Sequence, residues 1–363
     1  MANADVVVVG CGVIGAAIAW ELSHAGLQVT VLEAGSPAQG ASGAALGVVV
    51  GISSLLNGGA AARLRLRSWQ LFDPMIERLE ADLGYGLPVN RQGLLHVLWT
   101  EAELERWQPT LAARPQLQLL DAQHLHESFP SLAPELLAGV YAPQDRQIAP
   151  RLLTAALVKA ASQLGCQFHF HTPLLHWQTQ GSRITTLHTP QGSLSPGWVV
   201  VAAGLGSSPL TGIPVQGVKG QALTLYAPEL GWGPVVTGQD LHLVPRPEGC
   251  WWVGATVEFA WEQPAPTPET IPELRRRAAQ ICPALAQAPV IEHWAGLRPR
   301  PQQRAPLLGS PPGWENLLLA TGHYRNGVLL APVTAAVIRD VIVHGQTQEC
   351  QIEDFLPSSP HRS

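Results

Sequence analysis

The stretch Asp5-Val-Val-Val-Val-Gly-Cys-Gly-Val-Ile-Gly15 decides the fold of this 363-residue chain. Its four consecutive valines predict a short strand that is buried on both faces of a sheet. The glycines that follow have the spacing GxGxxG. In this pattern Gly10 permits a tight turn, Gly12 lets the backbone approach a phosphate group, and Gly15 lets a helix pack closely on the strand. The stretch therefore predicts a strand, a glycine-rich turn and the start of a helix.

The residues that follow complete a nucleotide-binding unit. Residues 16–24 have the composition of a helix, residues 25–26 end it, and residues 27–32 read as a second strand. Glu33 comes about 20 residues after the glycines, where an acidic side chain can bind ribose hydroxyls. The pattern predicts a dinucleotide site, with a purely structural turn as the alternative. Glu33 argues against the 2′-phosphate of NADP, whereas FAD and NAD both stay open.

The composition excludes several classes of protein. Hydrophobic residues make up 46% of the chain and charged residues 13%, which excludes a long disordered protein. The formal net charge of -5 supplies no cationic field, so we expect no nucleic-acid partner. The five cysteines form no CxxC pair, so we expect no metal site and no disulfide framework. No stretch reaches about 18 apolar residues, so we expect no membrane span and a cytoplasmic location.

Two later runs predict that the first sheet is assembled from distant segments. Residues 198–204 and 316–322 both read as apolar strands that end in small residues and glycine. Three segments between them read as strands of a second, antiparallel sheet: 219–226, 241–244 and 250–255. The small residues from 34 to 47 predict a backbone-lined crevice under a flat ligand, with a flexible loop as the alternative. The predicted fold class is α/β, with a discontinuous Rossmann-like domain and an antiparallel-sheet domain.

Two arginine-bearing segments near the C-terminus suggest an anion site. Arg298 lies in the segment 294–301, and Arg325 precedes Gly327, which opens an apolar helix. Guanidinium groups can hold a carboxylate through two parallel hydrogen bonds. The helix N-terminus can stabilise negative charge on a ligand. For either arginine, a surface or structural ion pair is the alternative.

The chain resembles the FAD-dependent D-amino-acid oxidase superfamily, and within it the glycine oxidase branch tied to thiazole and thiamine biosynthesis. The resemblance covers nearly the whole chain in the family's order, and its two C-terminal motifs are more specific than the glycine-rich turn. The matching segments are 7–15, 33–35, 42–45, 150–165, 199–204, 218–220, 244–246, 253–256, 294–299 and 322–332.

The resemblance implies a D-amino-acid oxidase-like fold in which the Rossmann-like part binds FAD. Relatives that attach FAD covalently use a cysteine beside the arginine segment, and residues 297–308 contain none, so we expect non-covalent FAD. The expected domains are an FAD-binding domain of residues 1–85, 145–218 and 298–363, and a substrate-binding domain of residues 86–144 and 219–297.

The resemblance also implies roles for individual residues. Arg298 would bind the substrate carboxylate, and Arg325 would lie near the substrate. Where the family's glycine oxidases place a tyrosine that helps to hold this carboxylate, the chain has His242, for which a structural strand histidine is the alternative. No catalytic residue is expected, because the flavin carries out the chemistry. The residues expected at the FAD site are Gly10, Gly12, Val13, Ile14, Gly15, Glu33, Ala34, Ser42, Gly43, Ala44, Ala45, Leu46, Gly47, Leu174, Ala203, Gly204, Gly322, His323, Arg325, Asn326, Gly327, Val328 and Leu329.

The reaction that the resemblance implies is the oxidative deamination of glycine or another small amino acid, such as sarcosine or a D-amino acid. A hydride would pass to flavin N5, and water and O2 would then yield a 2-oxo acid, ammonia or an amine, and H2O2. The main alternative is a dehydrogenase of the same fold that reduces a quinone or another acceptor. An NAD-dependent dehydrogenase and a flavin-bound RNA-modification or interaction module are further alternatives. The expected partners are the amino acid and O2, and a homo-oligomer is left open.

Overall fold

The computed structural model describes residues 2–56 and 58–357. Residues 1, 57 and 358–363, which belong to the predicted FAD-binding segments, lie outside the described residues. The α-helices are α1 (Val13–His24), α2 (Ala41–Ala44), α3 (Gly59–Leu83), α4 (Glu101–Ala113), α5 (Ala122–Ser128), α6 (Pro150–Gln163), α7 (Ser207–Thr211), α8 (Thr270–Ile281) and α9 (Gly327–His344). The strands are β1 (Ala2–Val9), β2 (Val29–Leu32), β3 (Val48–Val49), β4 (Leu94–Leu98), β5 (Gln118–Asp121), β6 (Ala138–Ala142), β7 (Arg146–Gln147), β8 (Gln167–His169), β9 (His176–Gln180), β10 (Arg183–Thr189), β11 (Gly192–Val201), β12 (Val215–Tyr226), β13 (Val235–Gly238), β14 (Leu241–Pro245), β15 (Cys250–Gly254), β16 (Val290–Pro301), β17 (Leu307–Gly309) and β18 (Leu317–Thr321).

The first sheet has the parallel core that the N-terminal stretch predicts. Its main path runs β17-β18-β11-β1-β2-β8, and β10 and β9 extend from β11. β1 pairs in parallel with β2 and β11, and β11 pairs in parallel with β18. Because β11 and β18 contain the two late apolar runs, distant segments complete the sheet, as the sequence predicted.

Two apolar layers cover the two faces of β1. Val6 and Val8 belong to the cluster that contains buried side chains of α1, α3, α6 and α9. Val7 and Val9 belong to a second cluster, which is built from β10, β11, β17 and β18. Full burial of a valine side chain contributes roughly 1.5–3 kcal/mol. The run of four valines is therefore explained by a strand without a polar face.

The helix α9 passes the length and composition test for a membrane span, although the sequence analysis predicted no such segment. Most of this helix is buried, and its side chains pack in the same cluster as those of α1 and α3. A buried core helix of a globular protein has the same all-round apolar composition. The apolar composition of α9 is thus accounted for by its place against the first sheet.

The second sheet is formed by the path β16-β12-β15-β14-β13-β4-β6-β5. All its pairs are antiparallel except β13 with β4. β12 and β16 lie wholly in this sheet, so the predicted domain bounds at 218/219 and 297/298 cut through two strands. Pro299 and Pro301 look like strand breakers, but β16 is an edge strand, where proline is tolerated.

Candidate functional site

One cavity, of about 1300 Å³, is lined by residues of both sheets. It is larger than the pockets of roughly 300–1,000 Å³ that hold drug-sized molecules. Twenty-two of the predicted site residues line it: Gly10, Gly12, Val13, Ile14, Glu33, Ala34, Ser42, Gly43, Ala44, Ala45, Leu46, Gly47, Leu174, Ala203, Gly204, His242, Arg298, Gly322, His323, Arg325, Gly327 and Val328. The run of small residues from 34 to 47 therefore forms a cavity wall.

Three residues that were expected at the FAD site lie outside this lining. Gly15 lies behind the glycine-rich turn, where an added Cβ atom would meet the carbonyl of Gly10. Asn326 is the N-cap of α9, and its carbonyl accepts a hydrogen bond from the N–H of Leu330. Leu329 is 2% exposed and belongs to the apolar core beneath the first sheet. These positions belong to the sequence motifs because they support the glycine-rich turn and the first turn of α9.

The glycine-rich turn has the close contacts that its motif predicts. Gly10 has φ +105°, and a Cβ atom there would lie 2.6 Å from the carbonyl oxygen of Ala202. A Cβ at Gly15 would lie 2.0 Å from the carbonyl oxygen of Gly10. Neither position can accept a side chain. The helix α1 begins directly after this turn, at the cavity. Its first N–H group, that of Val13, donates to Oγ of Ser42 at 3.0 Å.

The Glu33 carboxylate is held at the end of β2. Its Oε2 accepts a hydrogen bond from the N–H of Cys11 at 2.7 Å, and its Oε1 accepts one from the N–H of Gly35 at 2.8 Å. Each carboxylate oxygen has a further lone pair for a hydroxyl donor. This acid, the glycine-rich turn and the size of the cavity together fit the adenosine and diphosphate part of FAD.

A short loop connects β18 to α9 and contacts both sheets. The N–H of Tyr324 in this loop donates to the carbonyl of Pro299 on β16 at 3.0 Å. His323 is buried, and its Nε2 lies 3.0 Å from Oγ1 of Thr334 in α9. Burial lowers the pKa of His323 to about 3, so its imidazole is neutral. The N-terminus of α9 therefore faces the cavity without a cationic histidine beside it.

Arg298 projects from β16 into the cavity and is oriented by the neighbouring strand. Its Nη1 donates to the carbonyl oxygen of Lys219 at 3.1 Å. Gly220 leaves the space for this side chain, since a Cβ atom there would lie 2.2 Å from Nη2 of Arg298. Burial, and then the charge of Arg325, lower the pKa of Arg298. An arginine still keeps its charge in a protein, so a half-buried cation lines the cavity.

His242 lies on β14 and also lines the cavity. Its Nδ1 is 2.9 Å from Oγ1 of Thr237 on the paired strand β13, which leaves Nε2 available to a ligand. Burial, followed by the charges of Arg325 and Arg298, lowers the pKa of His242 to about 4. The imidazole is therefore neutral near physiological pH, and it can act as a hydrogen-bonding group but not as a third cation.

The sequence analysis missed the aromatic wall of the cavity. The rings of Trp252 and Trp294 are in edge contact, with centroids 5.9 Å apart, and the indole N–H of Trp294 donates to the carbonyl of Ala44 at 3.0 Å. The guanidinium of Arg246 lies 4.2 Å from the Trp252 ring. Side chains alternate along a strand, so Trp294 and Arg298 project from the same face of β16. This alternation is the signal that could have identified the wall.

Comparison with known proteins agrees with this geometry. A bifunctional protein ThiO/ThiG from a Synechocystis strain is 36% identical over 348 residues, which covers 94% of this chain and 52% of that protein. The chain thus spans about half the length of the bifunctional relatives that it matches. The glycine oxidase of Pseudomonas aeruginosa is 32% identical over 345 residues, which covers 93% of this chain and 94% of that enzyme.

Solved structures and family profiles lead to the same assignment. The crystal structure of glycine oxidase from Geobacillus kaustophilus superimposes with a TM-score of 0.91 at 28% identity, and covers 99% of this chain and 100% of that one. The profile of the DAO family, described as FAD dependent oxidoreductase, matches residues 5–341. These findings confirm the predicted resemblance, the fold class and FAD as the cofactor. The chain belongs to the DAO family of FAD-dependent oxidoreductases.

Proposed function

We propose that the chain oxidises glycine or another small amino acid to a 2-oxo acid, with release of ammonia or an amine and of H2O2. The observation that carries this proposal is the position of Arg298. Its guanidinium faces the cavity, and no carboxylate of the residues the structure describes lies within ion-pair distance of it. A half-buried cation without an ion-pair partner can be neutralised by an anion in the cavity, and a substrate carboxylate provides one. The glycine oxidases among the relatives support this choice.

We further propose how the two sheets divide the work. The first sheet and its helices would bind FAD non-covalently, with Glu33 on the ribose, the turn at Gly10 on the diphosphate, and the loop before α9 beside the isoalloxazine ring. The second sheet would bind the substrate through Arg298 and His242. When bound, FAD supplies the hydride acceptor for the reaction.

The protein would assist by favouring the neutral form of the substrate amine. Loss of a hydride from the α-carbon leaves a C=N bond, which the nitrogen lone pair must form, so the amine has to be unprotonated. The acidic residues that line the cavity are Glu33 and Glu292, whereas Arg298 and Arg325 approach the substrate side. Nearby cations lower the pKa of an amine. The ammonium proton would leave to solvent, and the imine would then be hydrolysed by water.

The proposal is tested by anaerobic reduction of the flavin with a panel of glycine, sarcosine, D-alanine, D-proline and L-proline. We expect the yellow holoenzyme to bleach with at least one of them, and Arg298→Ala to weaken the response to that substrate. Arg300→Ala is the matched control, because Arg300 lies on the same strand but contacts Phe259 outside the cavity. If no amino acid reduces the flavin, or if both variants behave alike, the proposal is wrong.

The electron acceptor separates the oxidase from the dehydrogenase alternative. An oxidase consumes one O2 and releases one H2O2 for each imine formed, because O2 takes up two electrons and two protons. A dehydrogenase would be reoxidised by a quinone and not by O2. We propose that the chain is an oxidase. We also propose a cytoplasmic location for it, and that its imine or 2-oxo acid product contributes to thiazole formation.

A further inference from the structure

Two guanidinium groups, those of Arg298 and Arg325, line the cavity, although glycine has a single carboxylate. The backbone brings them together, since the N–H of Tyr324 donates to the carbonyl of Pro299 at 3.0 Å. Each arginine is the direct sequence neighbour of one of these two residues. Arg325 also lowers the pKa of Arg298, after the larger effect of burial, so the two cations lie close enough to repel each other.

The only acid that pairs with Arg325 in the described part of the chain is Asp240, and this pair is weak. Nη2 of Arg325 lies 3.8 Å from Oδ1 of Asp240, and the Asp240 side chain is 82% exposed. Exposed ion pairs contribute little, because water screens them and both side chains lose freedom. Asp240 therefore neutralises Arg325 only loosely, and a carboxylate inside the cavity could take its place.

We propose that the site prefers small amines that carry two carboxylates, that is, amino or imino diacids. Arg298 holds the carboxylate on the reacting carbon, and Arg325 releases Asp240 and holds the second carboxylate. His242 is neutral, so the positive charges that face the two carboxylates are those of the two arginines. The second carboxylate does not react, so the oxidation itself is the one given above. This inference rests on the proposed function and specifies its substrate class.

The experiment compares each diacid with its matched amide in anaerobic flavin reduction of the holoenzyme. The pairs are D-aspartate with D-asparagine, L-aspartate with L-asparagine, and iminodiacetate with its monoamide. Each pair has nearly the same shape and differs in one charge. We expect at least one diacid to have a kcat/KM about 10-fold or more above that of its amide, as one added charge-assisted contact implies. Ratios near or below one for all three pairs overturn the inference.

Variants assign the effect to Arg325 and Asp240. Arg325→Gln should bring the diacid-to-amide ratio close to one, whereas Asp240→Asn should raise it. Asp240 has φ 60°, a conformation that asparagine also adopts, so Asp240→Asn keeps the turn. A ratio that is unchanged in both variants contradicts the assignment.

Binding of a diacid that cannot be oxidised distinguishes the diacid inference from the proposed function. Succinate should raise the thermal unfolding midpoint more than its monoamide does, and Arg325→Gln should remove the difference. If this binding difference is seen but no amine reduces the flavin, the proposed function fails and the anion site stands. If glycine reduces the flavin but succinate and its amide bind alike, only the diacid inference fails.

Discussion

Gly220→Ala is expected to disable substrate binding while it leaves the fold intact. The added Cβ would lie 2.2 Å from Nη2 of Arg298, and an ordinary contact requires at least 3.4 Å, so the guanidinium would have to move by 3.4 − 2.2 = 1.2 Å. The atom that moves is the end of a flexible side chain and not backbone, so we expect little loss of folding stability. A displacement of this size moves the guanidinium out of reach of a bidentate contact.

The magnitude follows from the contact that is lost. Charge-assisted hydrogen bonds contribute about 1.5–3 kcal/mol, which corresponds to a decrease in kcat/KM of about 10- to 150-fold. A misplacement of about 1 Å caused by a mutation away from the reacting atoms can cost on the order of 100-fold, which agrees with this range. Most of the effect should appear in KM, because the carboxylate is held alike before and during hydride transfer.

The assay is anaerobic flavin reduction as a function of glycine concentration, together with the flavin content and the thermal unfolding midpoint. Gly217→Ala is the matched control on the same strand, since a Cβ there would meet its nearest atoms at 3.4 Å, an ordinary contact. An unchanged KM in Gly220→Ala would refute the position that we assign to the substrate carboxylate. Loss of flavin in this variant would show instead that Gly220 supports the cofactor site.

Three further predictions address the charged and titratable groups. Arg298→Ala should raise the KM for the amino acid by about 10-fold or more while FAD stays bound, and kinetics like those of the parent enzyme would remove Arg298 from the site. His242→Tyr should keep or improve glycine turnover, because a phenol can also donate to the carboxylate; complete loss of flavin would identify His242 as structural. Burial lowers the pKa of His323 from 6.5 to about 3, so the unfolded chain binds more protons in this interval and the folded state loses stability as the pH falls from 6.5. His323→Gln should therefore reduce the pH dependence of the unfolding free energy between these pH values by up to about 1.4 kcal/mol per pH unit, and a parallel pH profile of the two proteins would contradict this account.

The local part of the FAD site follows from the sequence. The valine run, the glycines at 10, 12 and 15 and Glu33 are close in the chain, and their spacing is set by a short strand, a tight turn and one helix. The backbone of the turn leaves no room for a Cβ at Gly10 or Gly15, so the requirement is visible in the residue type itself. A sequence pattern can predict such contacts because the residues that make them are close together in the chain.

The substrate side was decided by the tertiary structure. Gly220 is required only because β12 pairs with β16 in the register that sets it beside Arg298, and no local feature of the sequence shows this. Trp252 and Asp240 likewise acquire their roles from the strand order and from the loop that meets the second sheet. Contacts between distant segments depend on register and on packing, and a single residue type does not encode either of them.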